Sequence, residues 1–158
     1  MRRDYFTLDV ENVDWVETDD EPAKPSVTID FDGPANALRE RLMNVDDEPL
    51  AAEEVDVAYR LQGSVDDPDT EGVVSISNRI TGDFVLELNE AAGDVLRFVK
   101  AARRYGQERG EEDEGRYEIT VLIDDDPFAH YDKRTLLVYD EDGNLLRQHS
   151  LIPSGVEL

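Results

Sequence analysis

Apolar and polar positions alternate with a period of two along much of the chain, and each such run predicts a half-buried strand. Phe6, Leu8 and Val10 alternate with Thr7 and Asp9; Val27, Ile29 and Phe31 with Thr28 and Asp30; Val55, Val57, Tyr59 and Leu61 with Asp56, Ala58 and Arg60. Val74 and Ile76 mark a further strand, as do Phe84, Leu86 and Leu88, and then Tyr117, Ile119, Val121 and Ile123. The last two predicted strands are TLLVYD at 135–140 and the segment Leu145–Ile152, whose leucines occupy both parities and so predict cover on both faces. RITGD at 79–83 and DEDGN at 140–144 read as tight turns, because Gly and Asn tolerate positive φ.

Two segments change to a helical period. In GPANALRERLMN, Asp32 is placed to cap, Pro34 falls in the first turn, and Leu38 and Leu42 share one face. In NEAAGDVLRFVKAARRYG, Asn89 is placed to cap, and Glu90 and Asp94 suit the positive N-terminal end. Val95, Phe98, Val99 and Ala102 form its apolar stripe, and Gly106 is expected to end it before a solvated loop, QERGEEDEG. The order predicts an α+β fold: a mostly antiparallel sheet of about eight strands with two helices on one face, joined by right-handed crossovers. The strand–helix–strand–strand order recurs in 26–79 and 83–152, as either duplication or a shared strand-to-helix grammar would produce. At 158 residues one domain, 1–158, is expected, large enough for a core without covalent staples.

Charge adds more than composition does. The formal net charge is −23, from 39 acidic and 16 basic residues. The acids are dispersed through the chain, which reads as the surface of a folded protein rather than an acidic tail. Of the cations only Lys24, Lys100 and Lys133 are lysine; the others are arginine. Such a surface repels itself until salt screens it, at a Debye length of about 3 Å in 1 M salt. A protein that works in molar salt is the expectation, and acidity then carries no information about partners. Cysteine is absent, which excludes disulfides and thiol catalysis. MRRDYFTLDV has no continuous apolar stretch of the kind a signal peptide needs, and no run approaches the ~20 apolar residues of a membrane span. These features predict a cytoplasmic protein without membrane contact.

The chain carries no phosphate-binding glycine loop, zinc-protease motif or nucleophile elbow. DEDGN resembles a calcium loop only superficially, because Leu145 stands where that loop needs glycine. DDDPFAH brings Asp124, Asp125, Asp126 and His130 close in sequence, so a metal-assisted enzyme is one alternative; a solvated turn is the plainer reading. Cations are scarce and therefore more telling. Arg97, Lys100, Arg103, Arg104 and Arg109 lie on or just beyond the second helix, and spacings of three and four place Arg97, Lys100 and Arg104 on one face. A second cluster holds His130, Tyr131, Lys133 and Arg134. Together they form a candidate anion, nucleic-acid or partner site, against the plain reading that cations suit a helix C-terminus. Trp15 is expected to pack over a sheet edge.

The strings VDWVETD, ISNRITGDFVLELNE and LVYDEDGNLLRQHSLIPSGVEL are distinctive. Through them the chain resembles, end to end, a family of small uncharacterised haloarchaeal proteins. The resemblance implies a haloarchaeal cytoplasm and brings no activity, cofactor or catalytic residue with it. The expected function is therefore a non-enzymatic binding or adaptor domain with a protein partner, no cofactor and no resident metal.

Overall fold

The computed structural model describes residues 3–18, 20–108 and 115–152. Strands β1 (Phe6–Glu11), β2 (Ser26–Phe31), β3 (Val55–Leu61), β4 (Glu71–Asn78), β5 (Phe84–Ala91) and β6 (Tyr117–Ile123) fall on the runs of period two. β8 (Leu137–Tyr139) lies inside 135–140, and β7 (Asp126–Lys133) falls where the sequence predicts a solvated turn. The tight turns form as expected, with Gly82 at φ 78° and Gly143 at φ 85°.

The fold is mixed α+β and its strand pairs are mostly antiparallel. The eight strands divide into two sheets of four, in the orders β1-β2-β6-β7 and β5-β4-β3-β8. Only β2–β6 and β3–β8 run parallel. Side chains of both sheets, among them Val27, Ile29, Val57 and Ile76, line one apolar cavity of about 40 Å³, so the inner faces oppose each other. That volume is on the order of one or two waters.

This arrangement corrects the expected crossovers onto one sheet. Helix α2 (Ala35–Arg41) carries the chain from β2 in the first sheet to β3 in the second, and helix α3 (Ala92–Glu108) carries it back from β5 to β6. The physical reason is area. On α2 and its C-terminal cap only Leu38 and Leu42 are buried, too little apolar surface to cover a sheet, so the other sheet covers it. α3 packs its predicted stripe, Val95, Phe98, Val99 and Ala102, into the same core, with Phe98 edge-on to Tyr117 at 5.3 Å between ring centroids.

The expected caps do not form. Pro34 directly precedes α2 and no side chain caps it. Asn89 lies within β5, where its Oδ1 accepts from Arg3. Gly106 is inside α3 rather than at its end; the Arg116 side chain occupies the space a Cβ would need. A short helix α1 (Trp15–Thr18) buries Trp15, as the packing reading expects.

Leu145–Ile152 is not a strand. Isolated bridges join Tyr139 to Leu145 and Leu136 to Leu151, and between them Arg147–His149 forms a 3₁₀ turn. Ser150 explains the departure. Its buried Oγ accepts from the Val138 N–H at 2.9 Å and donates to the Leu146 carbonyl at 2.8 Å, doing the work of ladder bonds. Pro153 and the SGVEL tail, like Arg109, lie outside the described residues.

Three buried tyrosines set a pH limit. Tyr59, Tyr117 and Tyr131 are each almost fully buried. Tyr59 donates to the Glu90 carbonyl at 2.8 Å, across a point on β4 where only glycine fits, since a Cβ on Gly72 would meet the Tyr59 ring and the Arg60 carbonyl. Tyr117 donates to the Thr135 carbonyl at 2.7 Å. Burial pushes Tyr131 up to about 12, with Glu54 adding to it. Burial also raises Tyr117, and it raises Tyr59 together with Glu90, Glu71 and Asp94. Native tyrosines thus keep protons that the unfolded chain loses near its ordinary value of about 10, so stability falls as pH rises through that value. Each retained proton contributes a slope of roughly 1.4 kcal/mol per pH unit. Buried Lys133 works the other way, because burial, then Arg79, lowers its value; it makes stability rise with pH, but only up to about 10.5 and for one proton against three. Alkaline unfolding monitored by tyrosinate absorbance and circular dichroism is expected to show these three phenols ionising with loss of the fold. Full tyrosinate absorbance in an intact fold would contradict their burial.

Candidate binding surfaces

The structure disperses the second basic cluster. β7 alternates, so Tyr131 and Lys133 point into the protein while His130 and Asp132 are exposed. Lys133 Nζ donates to the carbonyls of Ala52 at 2.7 Å and Val55 at 2.8 Å, fastening β7 to the turn before β3. Among the described residues the buried Tyr131 hydroxyl and Arg134 Nε meet no hydrogen-bond partner. His130 faces Glu118 at 3.9 Å. Buried Tyr131 and Lys133 therefore form no surface site with His130 and Arg134.

The aspartate run is a hairpin turn. Asp124 and Asp125 join β6 to β7 at φ 53° and 66°, the left-handed conformation that Asp tolerates in a two-residue loop. Asp126 begins β7, and His130 stands four residues further on, roughly 13 Å along an extended strand. Among the described residues no group of three His, Asp or Glu side chains is placed to share a metal ion.

On α3 the cations remain together but are differently engaged. Arg97 donates to Glu17 Oε1 and Oε2, both at 3.1 Å, and to Asp14 at 2.5 Å, tying α3 to α1. Arg104 donates to the Val16 carbonyl at 3.0 Å and lies 5.7 Å from the Trp15 ring centroid. Arg103 Nη2 donates to the carbonyls of Gln148 at 3.2 Å and Ser150 at 2.6 Å. Lys100 is exposed.

A further surface had no signal in any single motif. The outer faces of the two sheets differ in charge. That of the first carries Asp9 and Glu11 on β1, Asp30 on β2, Glu118 on β6 and Asp132 on β7. On the second, Ser75 lies between Ala58 and Glu87, and Val73 between Arg60 and Asn89. These small residues floor a groove of about 630 Å³, with Phe84 and Tyr139 at its sides. Two acids of this face are paired, Glu87 with Arg3 at 3.4 Å and Asp56 with Arg79 at 2.6 Å, while Glu71 begins β4 on the same face and Glu141 lines the groove. Arg60 has only the Glu141 carbonyl, at 3.1 Å, among the described residues. Phe84 and, on the adjoining turn, Ile80 are exposed. The sequence signal was the break in strand grammar: where β1 and β2 alternate with acids, β4 alternates with serine and valine.

No helix among the described residues is long and apolar enough to cross a membrane. No curated protein and no solved structure matches the chain. Over residues 1–158 it matches a family of unknown function, DUF5793, and the chain belongs to that family.

Proposed function

We propose that the chain is a non-catalytic binding module of a high-salt, haloarchaeal cytoplasm, and that it docks an acidic protein on the outer face of its second sheet. The observation that carries this reading is the contrast between the two outer faces. In a chain of net charge −23, the second sheet's face carries small side chains at its centre, two acids paired with arginine, Glu71 and Glu141 towards its ends, and a cation, Arg60, without a carboxylate partner among the described residues. At contact distance, where salt screens least, an acidic protein sets carboxylate against carboxylate on the first sheet, whereas here it meets small side chains and two acids already paired. The small floor admits an apolar side chain of the partner, and Arg60 receives a carboxylate at the rim. The salt habitat is supported by the dispersed acids and the scarcity of lysine.

The test is co-purification of the tagged chain from its native cells in molar KCl. Ser75→Arg, which fills the groove, and Arg60→Glu, which reverses its cation, are each expected to abolish a stoichiometric partner. Thr28→Arg, on the first sheet's outer face, is expected to retain it. A partner kept by both groove variants, or lost equally with Thr28→Arg, would refute the assignment of this face.

A further inference from the structure

A second groove, of about 510 Å³, runs between α3, α1 and the 3₁₀ turn at Arg147–His149. Its charged lining consists of Arg97, Lys100 and Arg103 against Glu17 alone. Glu17 is spent in its two-bond pair with Arg97, itself also on Asp14. Arg103 is fixed by two carbonyls, which are neutral, and neither it nor Lys100 meets a carboxylate among the described residues. The helix dipole does not explain cations here, because α3 runs on to Glu108 and its last turn holds no basic residue. Nor does it explain why, in a chain with 39 acids, these two meet no counter-ion among the described residues. Beside them Val16, Leu96 and Val99 give the groove an apolar wall, and the His149 ring lies at its far side.

We infer that this groove binds a small organic oxyanion, a carboxylate or a phosphate monoester carried on an apolar group. Lys100 and the free N–H groups of Arg103 take the anion, and Leu96 and Val16 take the apolar body. Arg103 is already held in place, so little side-chain entropy is lost on binding. A nucleic acid fits poorly, because the basic face does not continue: Arg104 turns away to the Val16 carbonyl and Trp15, and Asp14 and Glu17 border the groove.

Amide NMR titration of the full chain in molar KCl tests this, with benzoate and phenyl phosphate as probes and benzyl alcohol as the uncharged control. Saturable shifts in Leu96–Arg103 and around His149 are expected with at least one anion, and the stronger probe identifies the head group. Lys100→Glu places like charge against the anion and is expected to weaken binding by about tenfold or more. Arg39→Glu, an equal charge change on α2, is expected to leave it unchanged. Lys100 is exposed, so its variant should melt as the parent does. Absence of saturable shifts with both anions, equal shifts with benzyl alcohol, or an unchanged midpoint in Lys100→Glu overturns the proposal.

Discussion

Thermal melts of the chain are expected to move steeply upward as KCl is raised from about 0.1 M to above 1 M, where the Debye length falls from roughly 10 Å to 3 Å. The first sheet shows why the sign is positive. Asp9, Glu11 and Asp30 share its outer face without an ion pair among the described residues, and Glu118 stands directly opposite Asp132 with the single cation Lys24 between them. Opposed side chains on neighbouring strands are about 5 Å apart, well inside the screening length at low salt and beyond it at high salt. Salt also weakens favourable pairs, such as Lys24 with Asp132 and Arg79 with Asp56. Those exposed pairs contribute at most about 1 kcal/mol each, and acids outnumber bases 39 to 16, so relief of repulsion prevails. A melting temperature that stays flat or falls with KCl would contradict the high-salt reading.

The second large effect is expected from ending the chain at Asn144. The segment beyond it supplies buried Leu151 and Ser150, and half-buried Leu146, to the core. Its loss would leave the Leu136 N–H without the Leu151 carbonyl, the Val138 N–H without Ser150 Oγ, and Arg103 without both carbonyls. Removing a buried leucine costs about 2–5 kcal/mol, and each orphaned buried donor about 1–3. Domains of this size are stable by only about 5–15 kcal/mol, so cooperative unfolding should disappear even in molar salt. Ser150→Ala isolates one part of the effect and is expected to cost about 1–3 kcal/mol by denaturant titration. A truncated chain that still melts cooperatively at an unchanged temperature would mean that the segment is not part of the core.

Strands were legible where burial is one-sided. In β2, β3 and β6 every inward position is apolar, and the pattern alone locates the element. β7 was hidden because one of its inward positions is Lys133, whose ammonium is satisfied by two carbonyls that no sequence pattern announces. The 3₁₀ turn at Arg147–His149 was hidden because a serine hydroxyl replaces a ladder bond. The split into two sheets depends on how much apolar area a short helix offers, a property of the whole molecule rather than of one segment. The cations of α3 were found by scarcity, but their division into tied Arg97 and Arg104 and available Lys100 requires the positions of Asp14, Glu17 and Trp15. The groove of small residues was visible only as serines where acids were expected, and it acquires meaning beside the acidic face of the other sheet.

On the proposed reading a protein partner sits on the second sheet's outer face. A photo-crosslinking amino acid placed at Ser75, and separately at Thr28 as the matching position on the first sheet, tests it most directly when irradiated in native cells. A single heavier adduct is expected from Ser75, lost when Arg60→Glu is added, and none from Thr28. Adducts of equal yield from both positions, or from Thr28 alone, would contradict it.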